Sequence, residues 1–87
     1  MFKKNVTLQN ETGLHARPAS LFVKEASRFS SNVTVIKDGK KYNAKSIMGV
    51  LSMGAGKGTN LTIQAEGDDE KEAVDTLVQL VKDNFNE

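Results

Sequence analysis

The chain has 87 residues, of which 38% are hydrophobic and 26% charged, values ordinary for one small globular domain. Twelve basic against eleven acidic residues give a formal net charge of +1, which argues against nucleic acid or an anionic membrane as the main partner. The absence of cysteine excludes disulfides and thiolate chemistry. No apolar run suits a signal peptide or a membrane span, so we expect a single cytoplasmic domain over residues 1–87 without membrane insertion.

The N-terminal part is predicted to form a strand, a loop and a helix. Phe2, Lys4, Val6 and Leu8 fall on one side of a period of two, and three of the four are apolar, which predicts a first strand. The polar stretch Gln9 to Gly13 predicts a loop. Pro18 is predicted to open a helix, because proline is tolerated in the first turn, where the N–H has no intrahelical partner. The buried stripe of this helix is predicted from its spacing to comprise Ala19, Phe22, Val23 and Ala26.

A hairpin follows. Val33 to Lys37 is rich in β-branched residues and predicts a second strand, and Lys40 to Ala44 predicts a third. Asp38 and Gly39 are a preferred pair for a two-residue turn, since both positions need positive φ. The second and third strands are therefore predicted to be antiparallel neighbours.

The remainder is predicted to contain a short helix, a loop, a strand and a long helix. Ser46 is a good N-cap for a helix from Ile47 to about Ser52, and glycines at 54, 56 and 58 predict a loop. Alternation from Leu61 to Ala65 predicts a fourth strand. The stripe of the last helix is predicted to comprise Ala73, Val74, Leu77, Val78, Val81 and Phe85.

The predicted element order is therefore βαββαβα. Four strands and three helices, each with one apolar side, are best satisfied when the helices cover one face of an antiparallel sheet. We expect an α+β fold of the open-faced β-sandwich type, with a four-stranded antiparallel sheet covered on one face by three helices.

His15 is the only histidine, and it lies between a glycine-containing loop and the start of a helix. The first N–H groups of a helix lack intrahelical partners and the helix dipole is positive there, so such an end binds phosphate readily. Arg17 adds planar donors suited to phosphate oxygens, and a neutral imidazole has a nitrogen lone pair that can attack phosphorus. The local residues fit a phosphoryl group carried on His15 and a surface histidine that only caps the helix equally well.

Two stretches carry a resemblance to a known family. Thr12 to Ala19 reads T-G-L-H-A-R-P-A and resembles the active-site motif of the HPr family, the histidine-containing phosphocarriers of the bacterial phosphoenolpyruvate-dependent sugar phosphotransferase system. Ala44 to Val50 reads A-K-S-I-M-G-V and resembles the second signature of that family. The length, the element order and the spacing of the two motifs also match, so the resemblance covers essentially the whole chain.

The resemblance implies that His15 accepts phosphate from phosphorylated enzyme I and passes it to the IIA domains of sugar permeases. It places the phosphate on the ring Nδ1, with Arg17 beside it. Such a protein is a phosphoryl-transfer intermediary rather than an enzyme, needs no cofactor, and is expected to be a monomer. Family members with glutamine in place of this histidine act in regulation, and the presence of His15 disfavours that variant.

Ser46 carries a second expectation beside its capping role. In HPr proteins of many Gram-positive bacteria the matching serine is phosphorylated by a dedicated kinase, and the S-I-M-G-V wording is similar to that branch. A dianion at a helix N-terminus is stabilised by the dipole. The resemblance thus implies regulatory phosphorylation at Ser46, with HPr kinase/phosphorylase and a catabolite control protein as further partners.

The short helix is more apolar than one exposed turn and a half requires. Val50 is predicted to be a core residue, whereas Met48 and Leu51 are three apart and share another side. An exposed apolar patch with flanking positive charge is typical of a docking surface, although closure of a small core by the same residues is an alternative. The predicted docking surface comprises Leu21, Lys24, Ile47, Met48 and Leu51.

Two other functions remain open at this point. One is a regulatory binding module read out through Ser46, with His15 idle. The other is a small α/β nucleic-acid binder, against which the near-neutral charge and the few aromatic residues argue. One histidine and no cysteine argue against a metal site. The glycine-rich stretch Gly54 to Thr59 lacks the serine or threonine that a P-loop needs after its lysine, so a mobile loop is the favoured interpretation.

Overall fold

The computed structural model describes residues 1–86, and its elements follow the predicted order. A short 3-10 turn over Asn84–Asn86 follows the last helix. Within residues 1–86, no helix has both the length and the apolar character needed to cross a membrane. The strands and helices are β1 (Phe2–Thr7), α1 (Ala16–Ala26), β2 (Asn32–Lys37), β3 (Lys40–Asn43), α2 (Ile47–Ser52), β4 (Asn60–Glu66) and α3 (Glu70–Lys82).

The four strands form one sheet in the order β1-β4-β2-β3, with every neighbouring pair antiparallel. Along β4, Leu61, Ile63 and Ala65 are buried, whereas the residues between them are half-buried. This period of two places one face of the sheet against the core, where α3 packs on β1, β4 and β2. The predicted α+β open-faced sandwich is confirmed.

The turn between β2 and β3 has the predicted conformation. Asp38 has φ 51° and Gly39 has φ 79°, so both central residues lie in the left-handed region that a two-residue hairpin of this type requires. The pairing of Lys37 with Lys40 closes the turn directly.

Helix α1 begins earlier than predicted. Its first residue is Ala16, so Pro18 occupies the third helical position and not the first. Proline fits there because none of the first-turn N–H groups has an intrahelical acceptor. Val23 is only half-buried, although it packs against the core, so the fully buried stripe of α1 is Pro18, Ala19, Phe22 and Ala26.

The end of α3 also differs from the prediction. The helix stops at Lys82, and Phe85 lies in the following turn with φ 57°. Asn84 and Asn86 flank it with φ 54° and 63°, a conformation that asparagine tolerates better than most residues. The reversal still brings Phe85 into the core, where it is 1% exposed. Leu80, absent from the predicted stripe, is buried as well.

The residue preceding α3, Asp69, fastens the start of this helix to the loop after α1. Its carboxylate accepts hydrogen bonds from the N–H groups of Ser30 and Ser31, each at 3.0 Å, and from the Ser31 hydroxyl. The hydroxyl bond is the largest cause, followed by the Ser30 N–H, and together these donors lower the pKa of Asp69 from 3.8 to about 2. They favour the ionised form, so the contact is strongest when the carboxylate is charged.

We expect Asp69 to make the fold sensitive to acid. Its pKa is lower in the folded than in the unfolded chain, so its contribution to stability is fully present above pH 3.8 and is lost as pH falls through about 2. Urea unfolding of the wild type and of Asp69→Asn across this range measures the effect. The difference in their free energies of unfolding should shrink as the pH falls, and a constant difference would contradict the assignment.

Candidate functional site

His15 is the N-cap residue of α1. Its backbone is extended, with φ −77° and ψ −175°, and its carbonyl accepts the Ala19 N–H at 2.8 Å. The side chain is exposed and makes no capping hydrogen bond within the described residues. The prediction that His15 lies at the start of a helix is therefore confirmed, and its ring is accessible to a partner.

The start of α1 provides donors for an anion beside this ring. The N–H groups of Ala16 and Arg17 have no carbonyl of the helix to bond, and Pro18 has no N–H. The Arg17 side chain is exposed, and the ion pairs within residues 1–86 all involve other groups. Uncommitted N–H groups and an unpaired guanidinium are suited to phosphate oxygens.

The loop between β1 and α1, residues 8–15, is the histidine loop, and it packs against the segment that follows α2. The Leu14 N–H donates to the Ala55 carbonyl at 2.9 Å, and Leu14 itself is 4% exposed. Gly13 has φ 60°, and a Cβ at this position would collide with the Ala55 carbonyl oxygen and lie 2.6 Å from Gly56 Cα. Residues 54–59 therefore support the histidine loop, a role that the expectation of a mobile loop did not include.

An open cavity of about 410 Å³ lies beside His15. It lies between the end of the histidine loop and the end of α2, since His15 and Leu51 both line it. The complete lining is Thr12, Leu14, His15, Leu51, Gly54, Ala55 and Gly56. Within residues 1–86 no group of three histidine, aspartate or glutamate side chains is arranged to hold a metal ion.

The predicted docking residues differ in how accessible they are. Met48 is 72% exposed, and Ile47 and Leu51 are 37% and 38% exposed, which is unusual for large apolar side chains. Lys24 is exposed, whereas Leu21 is half-buried and packs against the core. Helices α1 and α2 contact each other. The accessible apolar surface is therefore mainly on α2.

Ser46 caps α2, as predicted. Its Oγ accepts a hydrogen bond from the Gly49 N–H at 3.1 Å, and its carbonyl accepts the Val50 N–H at 2.9 Å. Val50 is fully buried and Met53 is 3% exposed, so these two residues anchor α2 in the core. Ser46 itself is half-buried, so part of its side chain lies at the surface.

Sequence reasoning missed the residues that support the histidine loop. Leu14 and Ala55 are buried, and their main chains are hydrogen bonded to each other. Asn10 is 5% exposed although it is polar. An isolated leucine or asparagine in a polar loop has no periodic pattern, so only the glycine at position 13 indicated a close backbone approach.

Comparison with known proteins places this geometry in context. A family model described as the PTS HPr component phosphorylation site matches residues 2–83. The chain is 50% identical over 82 residues to the HPr-like protein Crh of Halalkalibacterium halodurans, covering 94% of this chain and 98% of that protein. It is 47% identical over 83 residues to the phosphocarrier protein HPr of Mycoplasma capricolum, covering 95% and 93%. A crystal structure of HPr from Thermoanaerobacter tengcongensis matches with a TM-score of 0.97 and 53% identity, covering 100% of this chain and 98% of that one.

Some of the similar structures are oligomeric. A second structure of the Thermoanaerobacter tengcongensis protein is described as an HPr dimer, with a TM-score of 0.80, 53% identity and 100% coverage of both chains. The structure of Crh from Bacillus subtilis, described as a swapped dimer, has a TM-score of 0.77 and 50% identity, with 97% coverage of both chains. The expectation of a monomer therefore has no support from these relatives.

Proposed function

Because the chain belongs to the HPr family of phosphotransferase-system components, we propose that it is a phosphocarrier that accepts a phosphoryl group on His15 and passes it on. The observation that carries the proposal is the exposed, unbonded His15 ring at the start of α1, beside uncommitted N–H groups. In this family the protein is a carrier and not a catalytic enzyme.

The proposed step is the transfer of a phosphoryl group from a donor protein to a ring nitrogen of His15. A lone pair on the neutral His15 ring attacks the phosphorus of the phosphorylated donor, and the bond between phosphorus and the donor breaks as the new N–P bond forms. The electron pair of the broken bond stays on the donor atom. Arg17 and the first N–H groups of α1 then hold the phosphoryl oxygens while the carrier is charged.

The proposed donor is enzyme I charged by phosphoenolpyruvate, and the proposed acceptors are IIA domains of sugar permeases, in the cytoplasm. Transfer to these partners requires that the ring and its surroundings be reachable from outside. The exposure of His15, and of the apolar side chains on α2, supports that requirement.

A second candidate is regulation through Ser46, favoured by the similarity to proteins named HPr-like protein Crh. Phosphate on the Ser46 Oγ would add negative charge at the N-terminus of α2, next to the predicted docking residues Ile47 and Met48. HPr kinase/phosphorylase and a catabolite control protein are the partners proposed for this role. The two functions can coexist, since they use different residues.

Incubation with phosphoenolpyruvate and enzyme I, followed by intact-mass measurement, tests the carrier proposal. We expect a gain of one phosphoryl group that is lost in mild acid, as phosphohistidine is. No gain, or a gain that persists in His15→Ala, would contradict it. Incubation with ATP and a serine kinase is the parallel test for Ser46, with Ser46→Ala as its control.

Met48→Glu is expected to weaken docking without unfolding the protein. A charge placed on the most exposed apolar side chain of α2 would have to be buried against the partner, so we expect the KM of enzyme I for this chain to rise at least about tenfold. The free energy of unfolding should change by less than about 0.5 kcal/mol, because Met48 is at the surface.

Met48→Leu is the matched control, since it keeps an apolar side chain of similar volume. Its KM should stay close to the wild-type value. Marked loss of stability in Met48→Glu would show instead that Met48 closes the core, and an unchanged KM would exclude it from the docking surface.

A further inference from the structure

Asn10 is a buried polar residue in the loop between β1 and α1, and the transfer step proposed above gives it no role. Only 5% of it is exposed, and it lies five residues before His15. Just before it, Leu8 is hydrogen bonded through its main chain to Gly58 and Thr59, so the loop begins at a fixed point. Buried polar side chains in folded proteins are nearly always hydrogen bonded.

The hydrogen bonds of Asn10 define the turn that precedes the histidine. Its Nδ2 donates to the Gly13 carbonyl at 2.9 Å and to the Thr12 Oγ1 at 3.3 Å. In the opposite direction, the Gly13 N–H donates to the Asn10 carbonyl at 3.2 Å. The side chain thus fixes the direction of the Gly13 carbonyl.

That carbonyl belongs to the same planar peptide group as the Leu14 N–H. The Leu14 N–H donates to the Ala55 carbonyl at 2.9 Å. Asn10 and Ala55 therefore hold the two polar ends of one peptide group, and the next residue along the chain is His15. Rotation of this peptide would move the ring relative to the start of α1.

The geometry points to Asn10 as a positioning residue for His15, an inference that rests on the proposed phosphocarrier function. It acts through the Gly13–Leu14 peptide and does not touch the phosphoryl group. A reacting atom displaced by about 1 Å costs on the order of a hundredfold in rate, so the orientation of a single peptide here affects transfer.

Asn10→Asp is the sharpest variant, because it keeps the shape of the side chain but replaces the donor with a carboxylate oxygen at neutral pH. We expect kcat for transfer from phosphorylated enzyme I to fall about tenfold or more, with KM within about twofold of wild type. Asn10→Ala, which removes the amide altogether, should lower kcat in the same way. If that variant does not fold, the isosteric one still decides.

Ser31→Ala is the matched control. Ser31 is also a buried polar residue, 2% exposed, but it lies beyond the opposite end of α1 from His15. It should lose stability and keep the wild-type kcat. Wild-type kcat in Asn10→Asp, a change confined to KM, or an equal fall of kcat in Ser31→Ala would overturn the inference.

Hydrogen exchange of the Leu14 amide tests the positioning without any partner. The reference is the Ala19 amide, whose N–H donates to the His15 carbonyl. Measured against that reference, the Leu14 amide should exchange about tenfold faster in Asn10→Asp than in the wild type. Unchanged exchange would overturn the inference. Should the wild type accept no phosphoryl group, the proposed function fails, while this exchange measurement still decides whether Asn10 holds the loop.

Discussion

His15→Ala is expected to reduce phosphoryl transfer from enzyme I to the chain by at least about 10⁴-fold, because the variant removes the nucleophile itself. The fold should be unaffected. The imidazole is exposed and makes no capping hydrogen bond within the described residues, so the free energy of unfolding should change by less than about 0.5 kcal/mol. Steady-state transfer assays and urea unfolding measure the two quantities.

Ser46→Ala is expected to do the opposite of His15→Ala, losing stability and keeping transfer. It removes an acceptor that the Gly49 N–H uses at 3.1 Å, so we expect a loss of about 1 kcal/mol of stability with phosphoryl transfer retained. Substantial transfer in His15→Ala, or loss of transfer in Ser46→Ala under conditions where it is folded, would contradict the assignment of the nucleophile.

Among substitutions that add a single methyl group to the histidine loop, Gly13→Ala is expected to lower the free energy of unfolding most. The residue has φ 60°, and the added Cβ would collide with the Ala55 carbonyl oxygen and the Gly56 backbone, which cannot move aside as a flexible side chain could. Conformational strain and the displaced backbone should together lower the free energy of unfolding by about 3 kcal/mol or more. Transfer should also slow, because Leu14 and His15 follow directly.

Gly54→Ala isolates the contribution of the collision. Gly54 has φ 62°, nearly the same as Gly13, but a Cβ there would meet nothing within 4 Å. It should therefore show the strain alone, about 1 kcal/mol in urea unfolding. Equal losses in the two variants would show that the histidine loop does not depend on close packing against residues 55 and 56.

Much of this architecture was predictable because it depends on local patterns. Alternation identifies β4, β-branched residues identify β2, and the Asp38–Gly39 pair specifies a turn in which both residues have positive φ and so places β3 beside β2. The position of His15 at the start of a helix also follows from its neighbours. The identity of the family rests on two motifs and is confirmed by the match over residues 2–83.

Other features depend on tertiary contacts and could not be predicted from a local pattern. Phe85 continues the helical spacing of α3, yet the chain turns after Lys82 and brings it into the core by another path. Leu21 has the spacing of an exposed residue but packs partly against the core. The proposed role of Asn10 depends on the hydrogen bond of the Gly13–Leu14 peptide to Ala55, a contact between segments some 40 residues apart.

The most direct test of the carrier function is the discharge of the charged protein. The chain is phosphorylated with enzyme I and phosphoenolpyruvate, separated from both, and mixed with a IIA domain while the intact masses of the two proteins are followed. We expect the chain to lose one phosphoryl group as the IIA domain gains one. Before the IIA domain is added, that phosphoryl group should be on His15. A phosphoryl group that stays on the chain, or is released only to water, would contradict the account.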